Sequence, residues 1–409
     1  MPIAGAVVTV AAWILFSTFH PKTGETSVEA ARLAFTVAGG VGGVVALVVV
    51  YRRQRNLEQG RFVERFAAAA AQIGAADAAV RIAGVYAMAG LADVSSAPRR
   101  QQSIDILCGY LRRPHGPDHG DNGRTSLVIT TPRGNGYEDI GKAEEQFDNR
   151  QSDREVRATI TSVIAAHVRP EAEHSWSRNT FDLRDAHLVD VNFNGAKFLG
   201  HAGFAGAKFS GEAEFEDATF FCHTEFDGAT FCCDARFAGA IFVGRVGFED
   251  ATFTGDARFT RAMFVDKALF DGVKFCGEAR FEDTTFADDV TFRDAAFAED
   301  GWFPFATFSG DASFERAAFA GGTFAGADFG TGAVTFAEPL RWDRAPVFDW
   351  DADLSIKPGN VEPTDWPPNQ ASPELRRGHN RDHAASQADG AAGKPPPRRL
   401  SHQHLWPRR

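Results

Sequence analysis

From Phe193 to Phe319, phenylalanine returns at gaps that alternate between five and six residues, so the pattern repeats every eleven. A strand repeats every two residues and an α-helix every 3.6, and neither accommodates this spacing alone. Eleven residues do make three turns of a slightly unwound helix, the basis of right-handed coiled coils. On such a helix, however, aromatics five apart would point about 140° away from each other, leaving two divergent stripes instead of one seam. The Gly, Asp and Thr that recur in every unit also oppose helix.

An extended chain that turns a corner after each aromatic satisfies the pattern. Two residues before many of these rings stands a small residue, among them Ala196, Ala202, Ala207, Ala213, Ala218, Ala229, Ala235, Ala240, Ala251 and Ala257. In a strand, residues i−2 and i face the same side, so Ala and Phe point inward together and the residue between them points out. Gly or Asp at the remaining positions tolerates the backbone angles of a corner. The spacing predicts a β-solenoid over residues 181–336, with an interior built from Phe204, Phe209, Phe215, Phe220, Phe226, Phe231, Phe237, Phe242, Phe248, Phe253, Phe259 and Phe264. The count of 37 Phe against 4 Tyr and 7 Trp fits one aromatic reused for one geometric task.

The opening units, with Leu183, Leu188, Phe193 and Phe198 five apart and Phe181, Ala186, Val191 and Ala196 two before them, resemble the pentapeptide-repeat family. The resemblance implies a right-handed, four-sided β-helix wound from consecutive quintets. From Phe204 the extra residue in alternate units lengthens a coil from twenty to twenty-two residues, so Phe204, Phe226, Phe248, Phe270, Phe292 and Phe314 should stack in one column. At the usual strand separation about seven coils make a rod of roughly 34 Å. Its open ends call for covers, expected from helix 153–169 on one side and a cap at 337–354, carrying Trp342 and Trp350, on the other.

The flanking segments read differently. Two apolar runs, about 2–19 and 33–51, approach the length of a bilayer-spanning helix, and Arg52, Arg53 and Arg55 directly after the second place the remainder of the chain on the cytoplasmic side. Residues 1–55 are thus expected to be two transmembrane helices with a short external loop, in a multi-pass protein of the inner membrane with its bulk in the cytoplasm. Gly39 and Gly43 form a GxxxG pair that suits close helix approach, either with the first span or in a homodimer. Residues 56–170 read as a small helical domain interrupted by a mobile loop at 114–150. Asp77 and Asp153 both open a D-x-x-V-R stretch, a spacing that resembles the paired helices of HEAT-type arrays, and Ser152 with Glu155 occupies capping-box positions. Residues 355–409, rich in Pro, Gly, Arg and His, are expected to form a disordered tail. The overall expectation is a membrane-anchored α+β chain.

Chemistry is sparse. Five cysteines, an odd number without zinc spacing, fit reduced thiols. No nucleophile triad, metal motif or phosphate-binding loop stands in a supporting context, so no catalytic, cofactor-binding or metal-binding residue and no cofactor is expected. Function must then lie on the outward positions. Residues 181–336 carry 26 Asp and Glu against 12 Lys and Arg, a net of −14. That surface should repel nucleic acid and attract a basic protein, and Glu216, Asp217, Glu249 and Asp250 are its candidate interaction face. The reading is a non-enzymatic scaffold whose partners are the lipid bilayer and a protein not identified by sequence. Resemblance to the family supplies an alternative, since some members imitate duplex DNA and occupy the DNA groove of type II topoisomerases.

Overall fold

The computed structural model describes residues 27–114, 138–342 and 344–372. By internal packing the chain divides into two units, 1–68 and 69–409. The long helix α1 (Ser27–Ile73) runs from the first into the second. In the first unit, α1 is helical throughout the expected second span, and Val44, Leu47, Val48, Val49, Val50 and Tyr51 are all exposed. The expected first span, 2–19, lies outside the described residues. Among the described residues, no helix is long and apolar enough to cross a membrane.

In the second unit, α2 (Ala78–Asp93), α3 (Ala97–Leu111) and α4 (Glu138–Val168) precede the strands. Their buried faces come from Val85, Met88, Ile104, Leu107, Val156, Ile160 and Ile164, spaced three and four apart as an amphipathic helix requires. The D-x-x-V-R stretches do not mark equivalent repeats. Asp77 caps α2 by accepting from the amides of Ala79 and Val80, whereas Asp153 lies inside α4, which begins fifteen residues before it at Glu138. Ser152 and Glu155 therefore do not start a helix, and residues 138–150, expected in the mobile loop, are helical. The Glu, Lys, Ala and Gln of that stretch favour helix, and a cap signal acts only where the chain leaves the helix. Most of the expected loop, residues 115–137, lies outside the described residues.

From Phe181 the chain forms a β-solenoid of about 7 turns. Each regular turn contributes four two-residue strands, paired in parallel with the turns before and after. Phe220, Phe242, Phe264, Phe286 and Phe308 stand directly in register, twenty-two residues apart. The strands fall into sheets of nine, six and twelve members, the largest joined by the continuous strand Lys208–Glu214 that spans two sides. The first turn is one residue shorter: Leu188 pairs with Phe209, and the register then shifts between Val189 and Val191.

The rings fill the interior as the eleven-residue beat requires. Down each column they stack nearly parallel, Phe204 on Phe226 at 4.8 Å and Phe231 on Phe253 at 4.5 Å between centroids. Between columns they meet edge to face, as Phe237 and Phe248 do at 5.7 Å and 86°. Both arrangements exploit the ring quadrupole. Every one of the twelve core phenylalanines is essentially inaccessible, and burying each contributes about 1.5–3 kcal/mol.

Both ends are covered. At the first turn the fully buried Arg157 of α4 donates to the carbonyls of Leu111 (2.8 Å), Arg113 (3.0 Å) and His187 (3.3 Å). It thereby satisfies the open C-terminal carbonyls of α3 and ties them to the first strands. Asp153 holds Arg157 at 2.7 Å and accepts from Tyr110 at 2.6 Å and Arg81 at 3.3 Å. Burial, and then donation to Asp153, raise the Tyr110 hydroxyl above its ordinary pKa. At the far end Phe348 stacks on Phe324 at 4.9 Å, and Trp342, Trp350 and Trp366 close over Phe336 and Phe329. Residues 355–372, expected in the disordered tail, belong to this cover: Val361–Glu362 pairs with Val334–Thr335, and Ala371 packs on Leu340 and Ala318. A few apolar residues suffice there because a preformed sheet edge and an aromatic end wait for them. The rest of the expected tail lies outside the described residues.

Candidate interaction surface

With Phe and Ala inside, the outward side chains fall into ladders whose rungs are one turn apart. One edge carries Glu212, Asp234, Asp256, Glu278 and Asp300 at successive turns. The Asp234 carboxylate accepts from the Asp256 amide at 3.1 Å, and the Asp256 carboxylate from the Glu278 amide at 3.2 Å. Beside it stand Arg236, Arg258 and Arg280 in strand register. Arg236 reaches Glu212 at 3.1 Å and Glu214 at 3.4 Å; Arg258 reaches Asp256 at 3.3 Å and Asp234 at 3.7 Å; Arg280 binds Glu278. The longest acidic run on the solenoid is therefore interlocked with a basic one.

Glu216 and Asp217 occupy the corner between strands Lys208–Glu214 and Thr219–Phe220, whereas Glu249 and Asp250 occupy the corner between Val246–Gly247 and Thr252–Phe253. One turn back from Glu249 lies Asp227, not Glu216, so the four residues form two pairs on two separate edges. Asp217 (φ 55°) and Asp250 (φ 57°) are exposed and take the left-handed conformation of the corner. Their carboxylates lie over Gly239 and Gly272 of the following turn, where a Cβ would collide with them. Both acids thus have a structural task at the corner in addition to carrying charge.

Asp227, Glu249 and Asp271 line the edge that includes Asp250. The Asp227 carboxylate accepts from the Glu249 amide at 3.0 Å, and that of Asp271 from the Arg293 amide at 2.9 Å. Burial holds the Asp227 carboxyl above its ordinary pKa, with repulsion from Glu225 adding to it. Burial raises Glu249 as well, followed by repulsion from Asp227, Asp271 and Asp250. A third edge changes sign along its length: His201, His223, Arg245 and Lys267 give way to Asp289 and Asp311. Lys267 binds Asp289 at 2.7 Å, and this bond pulls the Asp289 carboxyl below its ordinary range. His223 lies 3.2 Å from Glu225. Among the described residues no group of three His, Cys, Asp or Glu is placed to hold a metal ion.

Cys108 is buried, Cys222 is exposed, and Cys232, Cys233 and Cys276 are half-buried. Burial pushes the Cys108 thiol up to about 12, which makes it inert as a nucleophile. At Gly39 and Gly43 of α1 an added Cβ would meet nothing within 4 Å. The arginine ladder escaped the sequence reading, although writing the chain in rows of twenty-two puts Arg236, Arg258 and Arg280 under one another.

Residues 183–230 match the family model described as pentapeptide repeats (9 copies). No curated protein matches the chain, and no solved structure does.

Proposed function

We propose that this pentapeptide-repeat chain is a non-enzymatic interaction scaffold that holds its solenoid at a bilayer and offers the patterned outer edges to a protein partner. The observation that carries the reading is the division of labour across the wall of the solenoid. Phe and Ala take the inward positions in turn after turn, and charge is ordered into ladders on the outward ones. Side chains that point outward at a fixed rise suit an extended contact with another macromolecule, as on other solenoids.

The bilayer part rests on α1. Val44, Leu47, Val48, Val49, Val50 and Tyr51 are exposed around the whole circumference of the helix, with Leu47 at 72%. This stretch of α1, apolar on all sides, favours an apolar surround, and Arg52, Arg53 and Arg55 come next, where anionic headgroups would attract them. Imitation of duplex DNA is less well supported. That function needs an uncompensated run of negative charge, and the longest acidic run here is interlocked with Arg236, Arg258 and Arg280.

Photo-crosslinking amino acids placed singly at exposed Asp217, Asp250 and Lys208 of the full chain, activated in native membranes, test the scaffold. A discrete adduct, identified by mass spectrometry, is expected from at least one edge. Absence of an adduct at all three positions contradicts the reading. Carbonate-resistant sedimentation with membranes, abolished by joint Val44→Gln, Leu47→Gln and Val48→Gln, is the expected result for the anchor; unchanged sedimentation removes it.

A further inference from the structure

We infer that the solenoid pairs with a second copy of itself, antiparallel, through the side formed by the strands Lys197–Phe198, Thr219–Phe220, Ile241–Phe242, Met263–Phe264, Thr285–Phe286 and Thr307–Phe308. This side is the least polar on the solenoid. Its central outward residues are Thr219, Ile241, Met263 and Thr285, and along its following margin run Leu199, Phe221, Val243, Val265 and Ala287. Phe221 is 46% exposed, Met263 43% and Val265 41%. Large apolar side chains clustered on a surface that is otherwise charged mark a contact site.

The charges at the two margins select the occupant. On one margin Arg245 and Lys267 stand in consecutive turns, followed by Asp289 and Asp311. On the other, exposed Arg261 is followed one turn later by exposed Asp283. In a closed dimer each contact must occur twice by two-fold symmetry. Placing the two-fold between the turns of Lys267 and Asp289 sets Lys267, which also binds Asp289 of its own chain, against Asp289 of a second copy, Arg245 against its Asp311, and Arg261 against its Asp283. Both margins then match, six opposite-charge pairs in all once symmetry is counted. Met263 and Val265 fall on the small Thr285 and Ala287. A parallel pairing instead exchanges the margins and sets Lys267 against Arg261 and Asp289 against Asp283, which repel.

Asp266 and Asp288, which share the first margin, have their carboxylates turned back onto the amides of Lys267 and Asp289 at 2.7 Å. Six strands at the usual separation and some six extended residues across give a face of about 29 Å by about 20 Å. That is on the order of 1,200 Å² for the pair, at the foot of the range for specific interfaces. The association is accordingly reversible and charge-dependent. It does not depend on the bilayer reading.

The test uses two full-length variants with different affinity tags. Lys267→Asp brings two carboxylates face to face in any self-pair, and Asp289→Lys brings two lysines face to face, so each variant disfavours itself. Mixed together they restore opposite charges across the interface. The expected result, by tag capture at about 10 μM chain, is weak self-capture of each variant and capture of one by the other at least about tenfold stronger. Because both mixing partners carry the same α1, association through that helix contributes equally to all pairings. Equal self-capture and cross-capture, or wild-type chain that captures no second copy, overturns the inference.

Discussion

The rings of Phe226 and Phe248 stack face to face at 4.8 Å between centroids and 3° between planes, although twenty-two residues of chain separate them. The same two rings meet Phe237, which lies halfway along the intervening chain, edge to face at 5.7 Å. The solenoid core is this triangle repeated, so each ring supports neighbours in its own turn and in the turns on either side.

Replacing Phe248 by Ala removes a fully buried ring from the middle of a column. A loss of about 3–5 kcal/mol is expected, since continuous backbone ladders prevent the cavity from closing. Denaturant melts measure it. Phe248→Leu should lose markedly less, because most of the volume remains.

Two glycines with the same backbone conformation should respond differently to Ala. Gly228 (φ 64°) has nothing within 4 Å of an added Cβ, whereas at Gly239 (φ 67°) the added Cβ collides with the Asp217 carboxylate. Gly228→Ala should cost about 1–2 kcal/mol from the left-handed backbone alone. Gly239→Ala should cost more, and the excess should shrink when Asp217 is also changed to Gly. A thermal-melt cycle of the three variants reads this coupling.

The raised Asp227 carboxyl sets a pH dependence with a definite sign. Its pKa is higher folded than unfolded, so the folded state binds the proton more tightly, and ionisation at neutral pH disfavours the fold. Asp227→Asn keeps an acceptor for the Glu249 amide and removes the charge. The variant should therefore melt higher than wild type at pH 7. Its advantage should fade as pH drops through the folded pKa of Asp227 and vanish below the ordinary carboxylate range. An advantage that grows on acidification contradicts the assignment.

Arg258 lies between Asp234 and Asp256 on a partly exposed face, so its pairing is screened by solvent. Arg258→Met should lower stability by no more than about 1 kcal/mol at low salt. The difference should narrow in high salt, where neighbouring carboxylates repel less. Arg157→Met is the opposite case. It strips a buried cation from Asp153 and from three carbonyls, and about 3–5 kcal/mol should be lost. Limited proteolysis should then cut near Arg113, where the carbonyls that Arg157 holds are released.

The core was legible in the sequence because one side-chain type fills one geometric role. Once Phe193 and Phe198 fix the beat, every inward position can be assigned. The outer edges needed the turn length as well. Glu216 and Glu249 both come directly after a core Phe and invite grouping, yet thirty-three residues are one and a half turns, so they stand on different edges. The clasp at Arg157 was not legible, because its partners are backbone carbonyls from segments 30 to 46 residues away, and carbonyls carry no sequence signal. Trp366 was hidden for a related reason. A single aromatic among prolines looks like tail until the exposed rings of the last turn are known.

Lys197, Thr219, Ile241, Met263 and Thr285 lie in unbroken register, so residues 88 apart in sequence should be four strand separations apart in space. Spin labels at Lys197 and Thr285 in a cysteine-free chain, diluted with unlabelled protein, measure that spacing by dipolar coupling. A single narrow distribution centred near about 19 Å, broadened only by label rotamers, is the expected result. A broad distribution beyond about 35 Å would show that the chain does not wind into coils of twenty-two residues, and the stacked aromatic core would have no basis.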